Sequence, residues 1–433
     1  MKREDVLAIF NAAIKAVQPA VLMPYVLRLL DGVLTVEEKS YSIEGKQIFL
    51  LSVGKAAAAM ALEAENILGD CIVEGLVVTK YDHALPLKYC RLIEAGHPVP
   101  DEKSKEAAEE VKSFLKKLKK DDLLIVCISG GASALLADME SGISLEDLQH
   151  MSKLLLKSGA SIHELNVVRK NISTLKGGGL VLSSNGADIV SLVISDVAGD
   201  DLSSIASGLT VEDYSTPEQA YEILKQYKIL DDIPASIKQC LDSRRANTNS
   251  QNISAAPFNK VLNKIIGSNH IALNAAAAEA ALLGYKVEIV DDDLKGEAAD
   301  RAKEFVNKLC SVNSENSCYL MGGETTVTIS GNGKGGRNQQ FALASLLALK
   351  ERNIAINDCP VILAGGTDGT DGPTDAAGAI ADKDVLQKTN DLKLNAKQFL
   401  DDNDAWHFFK QASGLVITGP TQTNVMDIVV GVR

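Results

Sequence analysis

Unbroken apolar runs repeatedly stop at a glycine, serine or aspartate and give way to a helix-patterned segment. KQIFLLSV (46–53) stops at Gly54-Lys55 and meets the alanine-rich AAAAMALEAENIL. LLIVCIS (123–129) stops at Gly130-Gly131, and ADIVSLVIS (187–195) stops at Asp196. KVLNKIIG (260–267) precedes SNHIALNAAAAEAALLG, after which YKVEIV (285–290) is again strand-like, as are GLVVTK (75–80) and RLIEAG (91–96). Such runs have no polar face to show to water. Alternating with helices, they require an α/β fold whose mostly parallel sheet is covered on both sides. Between two of them, residues 101–120 predict a helix with Ala108, Val111, Leu115 and Leu118 on one face. Its acidic start and its KKLKK end suit the helix dipole.

At roughly 150 residues per domain, 433 residues suggest two or three domains. Aromatic residues make up only 4%, so the cores must be built from Ala, Val, Ile and Leu. Residues 242–260 are polar and pattern-free, a surface excursion or hinge. A second polar break, SVNSENS, spans 311–317. Beyond it YLMGGETTVTIS predicts paired short strands, the last of them alternating. The expected organisation is a first α/β domain over 1–241 and 261–311, and a smaller mixed α/β domain over 312–433.

The formal charge of -13 makes this chain a poor nucleic-acid binder, because phosphate neutralisation supplies most of that affinity. It leaves room for a small anion at a local basic site, arriving with a metal ion. Seven cysteines, an odd number without CxxC, argue against a disulfide framework or zinc site and for a reducing compartment. No secretory signal pattern is seen, and no apolar stretch approaches the ~20 residues that span a bilayer. A cytoplasmic protein with no membrane partner is expected. A homodimer is allowed but not required. No histidine has metal-ligand spacing, so a metallohydrolase is not supported.

In open α/β sheets ligands bind at the carboxyl ends of strands. SVGKAAAAM puts Lys55 at such an end, where a positive charge opposes the helix dipole. That placement favours contact with an anion. It is not a P-loop, because Phe49 stands where that motif needs glycine. CISGGASALL offers Ser129, Gly130, Gly131 and Ser133 as an anion cradle, or simply as a tight turn into a helix. VISDVAGDDLSS places Asp196, Asp200 and Asp201 at a third strand end. NVVRKNISTLKGGGL gathers Arg169, Lys170 and Lys176 before a run of glycines. Its spacing favours a solvated helix face with a glycine cap. The functional alternative is a phosphate clamp with Lys176 as nucleotide ligand.

GNGKGGR contains GxGxxG at Gly331, Gly333 and Gly336. The acidic residue that should end the next strand of a dinucleotide fold is misplaced, so the fingerprint is discounted. What remains is Arg337 at a helix start, able to grip a carboxylate or phosphate through two hydrogen bonds. In GGTDGTDGPTDAAGA, Asp368 and Asp371 read as metal, hydroxyl or proton ligands and Asp375 as a cap. Their spacing is not that of a calcium loop.

Taken in order, SVGKAAAAM, AGHPVPDEKS, CISGGASALL, NVVRKNISTLKGGG, SDVAGDDLSSIASG, GGETTVTISGNGKGGRNQQ and GGTDGTDGPTDAAGA resemble the type II glycerate kinases, the family with a C-terminal MOFRL domain. They span nearly the whole chain. SGLT (207–210) stands where the family often reads SGPT, and Gly179 where it often has a basic residue. The resemblance implies a Rossmann-like N-terminal domain and a smaller C-terminal domain around a cleft. It implies ATP-dependent phosphorylation of D-glycerate, typically to 2-phosphoglycerate, with Lys55 and Arg337 central. On that expectation Asp196 is the first candidate for general base or Mg²⁺ ligand and Asp371 the second. Glu324, Asn338, Asp368 and Asp371 orient substrate, and Ser129, Gly130, Gly131, Ser133 and Lys176 hold phosphate. Closure of the cleft would exclude water. The alternatives are an NAD(P)-dependent hydroxypyruvate reductase, which needs the discounted nicotinamide site, and a non-catalytic sugar-acid binder.

Overall fold

The long apolar runs become the inner strands of a parallel sheet, as their composition demands. The structure is a computed structural model that describes residues 2–246, 256–311, 316–352, 354 and 358–433. Residues 247–255 of the expected polar excursion and 312–315 of the expected break lie outside the described residues. The chain divides into two units, Leu22–Ile266 and Met1–Val21 with Gly267–Arg433.

Unit Leu22–Ile266 opens with a small antiparallel sheet of β1 (Leu27–Leu30), β2 (Val33–Val36) and β3 (Lys39–Ser42). Its main sheet contains β4 (Ile48–Val53), β5 (Ile72–Lys80), β6 (Cys90–Ala95), β7 (Leu123–Ile128), β8 (Asp188–Ile194) and β9 (Val261–Gly267), in the order β6-β5-β4-β7-β8-β9. Strands β4 to β8 pair in parallel, and every residue of β4 and β7 is buried. The expected helix is Glu102–Leu115, started by a capping box between Asp101 and Ser104. Ala108, Val111, Leu115 and Leu118 are all buried, and Phe114 meets Phe49 edge-on at 5.7 Å. A separate apolar cluster joins helices Leu145–Ser158, Ile162–Lys170, Pro217–Gln226 and Ala235–Ala246, a helical layer the sequence reading did not anticipate.

The other unit is built on a mixed sheet of β10 (Lys286–Leu294), β11 (Ser317–Gly323), β12 (Val361–Gly366), β13 (Gly378–Ala381), β14 (Leu415–Val416) and β15 (Asp427–Val432). The order is β10-β11-β15-β12-β13-β14. β10 runs parallel to β11, and the last strand, β15, is inserted antiparallel between β11 and β12.

This topology corrects the expected domain boundary. Residues 267–311, assigned above to the first domain, belong here because β10 pairs with β11 rather than continuing the first sheet. Asn269 reinforces the assignment by donating to the carbonyls of Val425 (2.8 Å) and Asp427 (3.0 Å). The N-terminal helix Lys2–Ala16 also belongs here: Tyr285 donates to Asp5 at 2.6 Å, and Phe10 presses on Gly365. A Cβ on Gly365 would lie 2.7 Å from the Phe10 ring. The expected strand in TTVTIS does not form. Thr326 makes only an isolated bridge to Glu297, and the Thr328 amide donates to the Glu297 carboxylate at 3.0 Å. Side-chain capture of backbone donors replaces a ladder there. Among the described residues no single helix is long and apolar enough to cross a membrane.

Phe10 is fully buried, so Phe10→Ala should cost about 3–5 kcal/mol. Hydrogen exchange should then accelerate in β12 and β15 while β4 and β7 keep their protection. Loss of protection in β4 and β7 first would contradict the unit assignment.

Candidate active site

In unit Leu22–Ile266 the backbones at the ends of β4 and β7 touch. Gly54 sits at φ +132°, and a Cβ there would fall 2.2 Å from Ser129 Oγ. The Lys55 amide donates to the Gly130 carbonyl at 2.9 Å, and the Ala56 amide to Ser129 Oγ at 3.0 Å. Gly131, at φ +87°, lies against the His97 ring and the Lys55 stem: a Cβ would be 2.9 Å from His97 Cδ2 and 3.3 Å from Lys55 Cγ. Lys55, half-buried, therefore stands beside the Gly130-Gly131 turn, just before helix Ala57–Leu68, which has no side-chain cap. A cation, a glycine turn and an uncapped helix start together favour an anion. His97 joins this group without having been chosen from the sequence.

The other expected phosphate ligands divide. Ser129 is fully buried and accepts from Ala56, so it shapes the turn instead of facing a ligand. Ser133 meets Ser207 at 2.8 Å, and Ser207 donates to Asn166 at 3.0 Å, which ties the cradle to helix Ile162–Lys170. Lys176 is not an exposed clamp. Its ammonium is sealed against Asp138 and donates to the Leu136 carbonyl at 2.8 Å, with a side chain only 5% exposed. Burial alone would raise the Asp138 carboxyl, but the Lys176 charge and the donors Ser173 and Leu175 hold it below its ordinary value. Lys170 pairs with Asp213 at 3.2 Å. Asp196 follows β8, half-buried, while Asp201 accepts from Ser203 (2.8 Å) and Ser204 (2.6 Å).

In the other unit, Arg337 is the first residue of helix Arg337–Glu351. Its Nε and Nη2 donate to the two Asp427 oxygens at 2.5 and 2.9 Å, and its Nη1 meets Glu324 at 2.5 Å. Burial works against the guanidinium charge, but the carboxylates around it, Asp427 foremost, more than offset that. Asp427 was not read from the sequence.

Asp371 is corrected from metal ligand to helix cap. One oxygen accepts the Asn338 amide at 3.1 Å, and the other accepts the Gln339 amide at 2.8 Å and Gln339 Nε2 at 3.0 Å. Asn338 is buried with it, its Nδ2 3.3 Å from the same carboxylate. Burial lifts the Asp371 pKa, the two amides pull it back and Asp427 pushes it up again, leaving it at about 6. Asp368, half-buried, accepts from the Thr370 amide at 3.0 Å, closing its own turn. Asp375 accepts from Trp406 Nε1 at 2.8 Å, a structural contact but not the cap expected of it.

The first four amides of the glycine loop are employed elsewhere. Gly331 donates to Asn403 (2.9 Å), Asn332 to Asp402 (3.0 Å), Gly333 to the Asp402 carbonyl (2.9 Å) and Lys334 to Asp404 (2.9 Å). Cβ atoms on Gly331 and Gly333 would overlap residues 402–404. The glycines serve close packing, not a pyrophosphate. Among the described residues no group of three or more His, Cys, Asp or Glu could hold a metal.

Lys176→Met should cost about 3–5 kcal/mol because it strands the buried Asp138 charge. The double variant Lys176→Met/Asp138→Leu should recover most of that in thermal melts. A fully stable single variant would contradict the buried pair. For Asp371, the folded carboxyl binds its proton more tightly than the unfolded one, so its contribution is complete below about pH 4 and lost as pH rises through about 6. Asp371→Asn should remove that fall from the stability–pH curve, and parallel curves for the two proteins would contradict it.

Residues 5–242 match a domain family of unknown function, DUF4147, and residues 317–427 match the MOFRL family. The glycerate 2-kinase of Pyrococcus horikoshii is 41% identical over 99% of this chain and 97% of its own length. The D-glycerate 2-kinase of Thermotoga maritima is 37% identical over 89% of this chain and 90% of its own. The solved glycerate kinase structure from Thermotoga maritima superposes with a TM-score of 0.82 at 34% identity, covering 99% of this chain and 98% of that one. On the strength of both matched segments and these near-full-length relatives, the chain belongs to the glycerate kinase family with a C-terminal MOFRL domain.

Proposed function

We propose that this protein is an ATP-dependent kinase that phosphorylates the 2-hydroxyl of D-glycerate, giving 2-phosphoglycerate and ADP. The observation that carries the reading is Arg337, a guanidinium anchored on one edge by buried Asp427 and met on the other by the half-exposed Glu324 carboxylate. That second edge suits an oxyanion, and the relatives matched over nearly their whole length bear glycerate kinase names.

Phosphoryl transfer is mainly positioning and charge stabilisation. The 2-hydroxyl oxygen forms a bond to the γ-phosphorus as the bond from that phosphorus to the β,γ-bridging oxygen breaks. The hydroxyl proton leaves to a carboxylate, for which Asp196 is the candidate. Lys55 and the amides of the Gly130-Gly131 turn offset phosphate charge. Arg337 grips the glycerate carboxylate or the moving phosphoryl. Glu324, Asn338 and Asp368 lie on the segments flanking Arg337 and the 367–377 loop, where they bear on the substrate. Mg²⁺ usually keeps several waters and needs only one or two carboxylates beside substrate phosphates. Asp196, half-buried just past the end of β8, is the candidate carboxylate for it as the alternative to the base role, and Mg²⁺ there would neutralise phosphate charge.

The reductase reading loses support at the glycine loop, where the amides of residues 331–334 are spent on residues 402–404. All seven cysteines are free thiols, in keeping with a reducing, cytoplasmic setting.

Lys55→Ala and Arg337→Ala should each lower D-glycerate-dependent ADP release by at least about 100-fold without loss of fold, in line with removal of one transition-state charge contact. Near-full turnover in either variant would remove that residue from the mechanism.

A further inference from the structure

A guanidinium presents two forked edges, Nε–Nη2 and Nη1–Nη2. In Arg337 the first is closed by both oxygens of Asp427. Asp427 cannot easily move. It is 2% exposed, it opens β15, and its backbone is paired with Gly323 of β11 on one side and Gly366 of β12 on the other. Its carbonyl also accepts from Asn269 at 3.0 Å. The second edge is different. Glu324, just past the end of β11, meets Nη1 at 2.5 Å with a side chain 49% exposed.

One positive charge cannot hold two carboxylates and an incoming anion equally well. The carboxylate that yields must be the one water can rehydrate, since releasing a buried charge costs far more than opening an exposed pair. We propose that Asp427 is a positioning residue that fixes the Arg337 guanidinium, and that Glu324 is a displaceable occupant of the edge taken by the substrate's oxyanion. This deepens the kinase reading and rests on it. It also changes the role of Glu324 from orienting the bound substrate to guarding its place.

The test starts from wild-type protein with confirmed D-glycerate-dependent ADP release; if that activity is absent, the kinase reading itself fails. Given activity, Arg337→Ala should be partly rescued by guanidinium ion added to the assay. The Arg337→Ala/Asp427→Asn double variant should lose that rescue by about 10-fold or more, because the cradle that orients the free ion has lost its charge and one acceptor. Asp427→Asn alone should lower kcat/KM by about 100-fold, the scale expected for a misplaced catalytic group. Equal rescue in both backgrounds would overturn the positioning role, since a purely structural Asp427 would not affect binding of the free ion. If Asp427→Asn fails to fold, Glu324→Gln still decides the matter. Removing the competing charge should lower the KM for D-glycerate by about 1.5- to 5-fold, the range of an exposed ion pair. An unchanged or raised KM would overturn the proposal.

Discussion

Asp371 accepts the amides of Asn338 and Gln339, the two residues that follow Arg337 at the head of its helix. The exposed amides of a helix start are a fixed electrostatic demand, and here a carboxylate from a distant loop meets it. That bond locks the 367–377 loop to the helix and sets the direction in which Arg337 leaves it. Gly336 is required for the same reason: a Cβ there would lie 2.3 Å from the Asp371 carboxylate. Each aspartate of the GTDGTDGPTD stretch has a local structural partner. Asp371 caps a helix, Asp368 closes a turn and Asp375 holds Trp406.

Two buried ion pairs with similar chemistry have different fates. Asp138–Lys176 is sealed: the ammonium, the carboxylate and their remaining bonds are all inside. Asp427–Arg337 is sealed on one edge only. Buried pairs contribute little net stability once desolvation is counted. A half-closed pair can instead hold an oriented charge ready for a ligand. The Lys55 stem, in the other unit, is packed beside Gly131, next to the close approach of Gly54 to Ser129.

Local pattern made the central strands legible. β4 and β7 could be read from KQIFLLSV and LLIVCIS because both faces are buried, and helix Glu102–Leu115 from its one-sided apolar spacing and its charges. Which sheet a strand joins was not legible. KVEIVDDDL continues the strand–helix alternation without a break, yet pairs with a strand beyond it in the chain. Lys55 stood out because it occupies a helix start where a cation is locally unfavourable, and Arg337 because it opens a helix directly after a glycine-rich loop. Asp138 and Asp427 gave no such signal: their partners lie 38 and 90 residues away. Lys176 and Asp371 were misread for the same reason, as long-range partners had already claimed their charges.

The most direct measurement is ³¹P NMR of the product formed by purified protein with ATP, Mg²⁺ and D-glycerate. The account predicts the resonance of 2-phosphoglycerate growing in step with ADP. A 3-phosphoglycerate resonance would contradict the acceptor hydroxyl assigned here. ATP left intact, with hydroxypyruvate consumed when NADH or NADPH is supplied, would contradict the kinase itself.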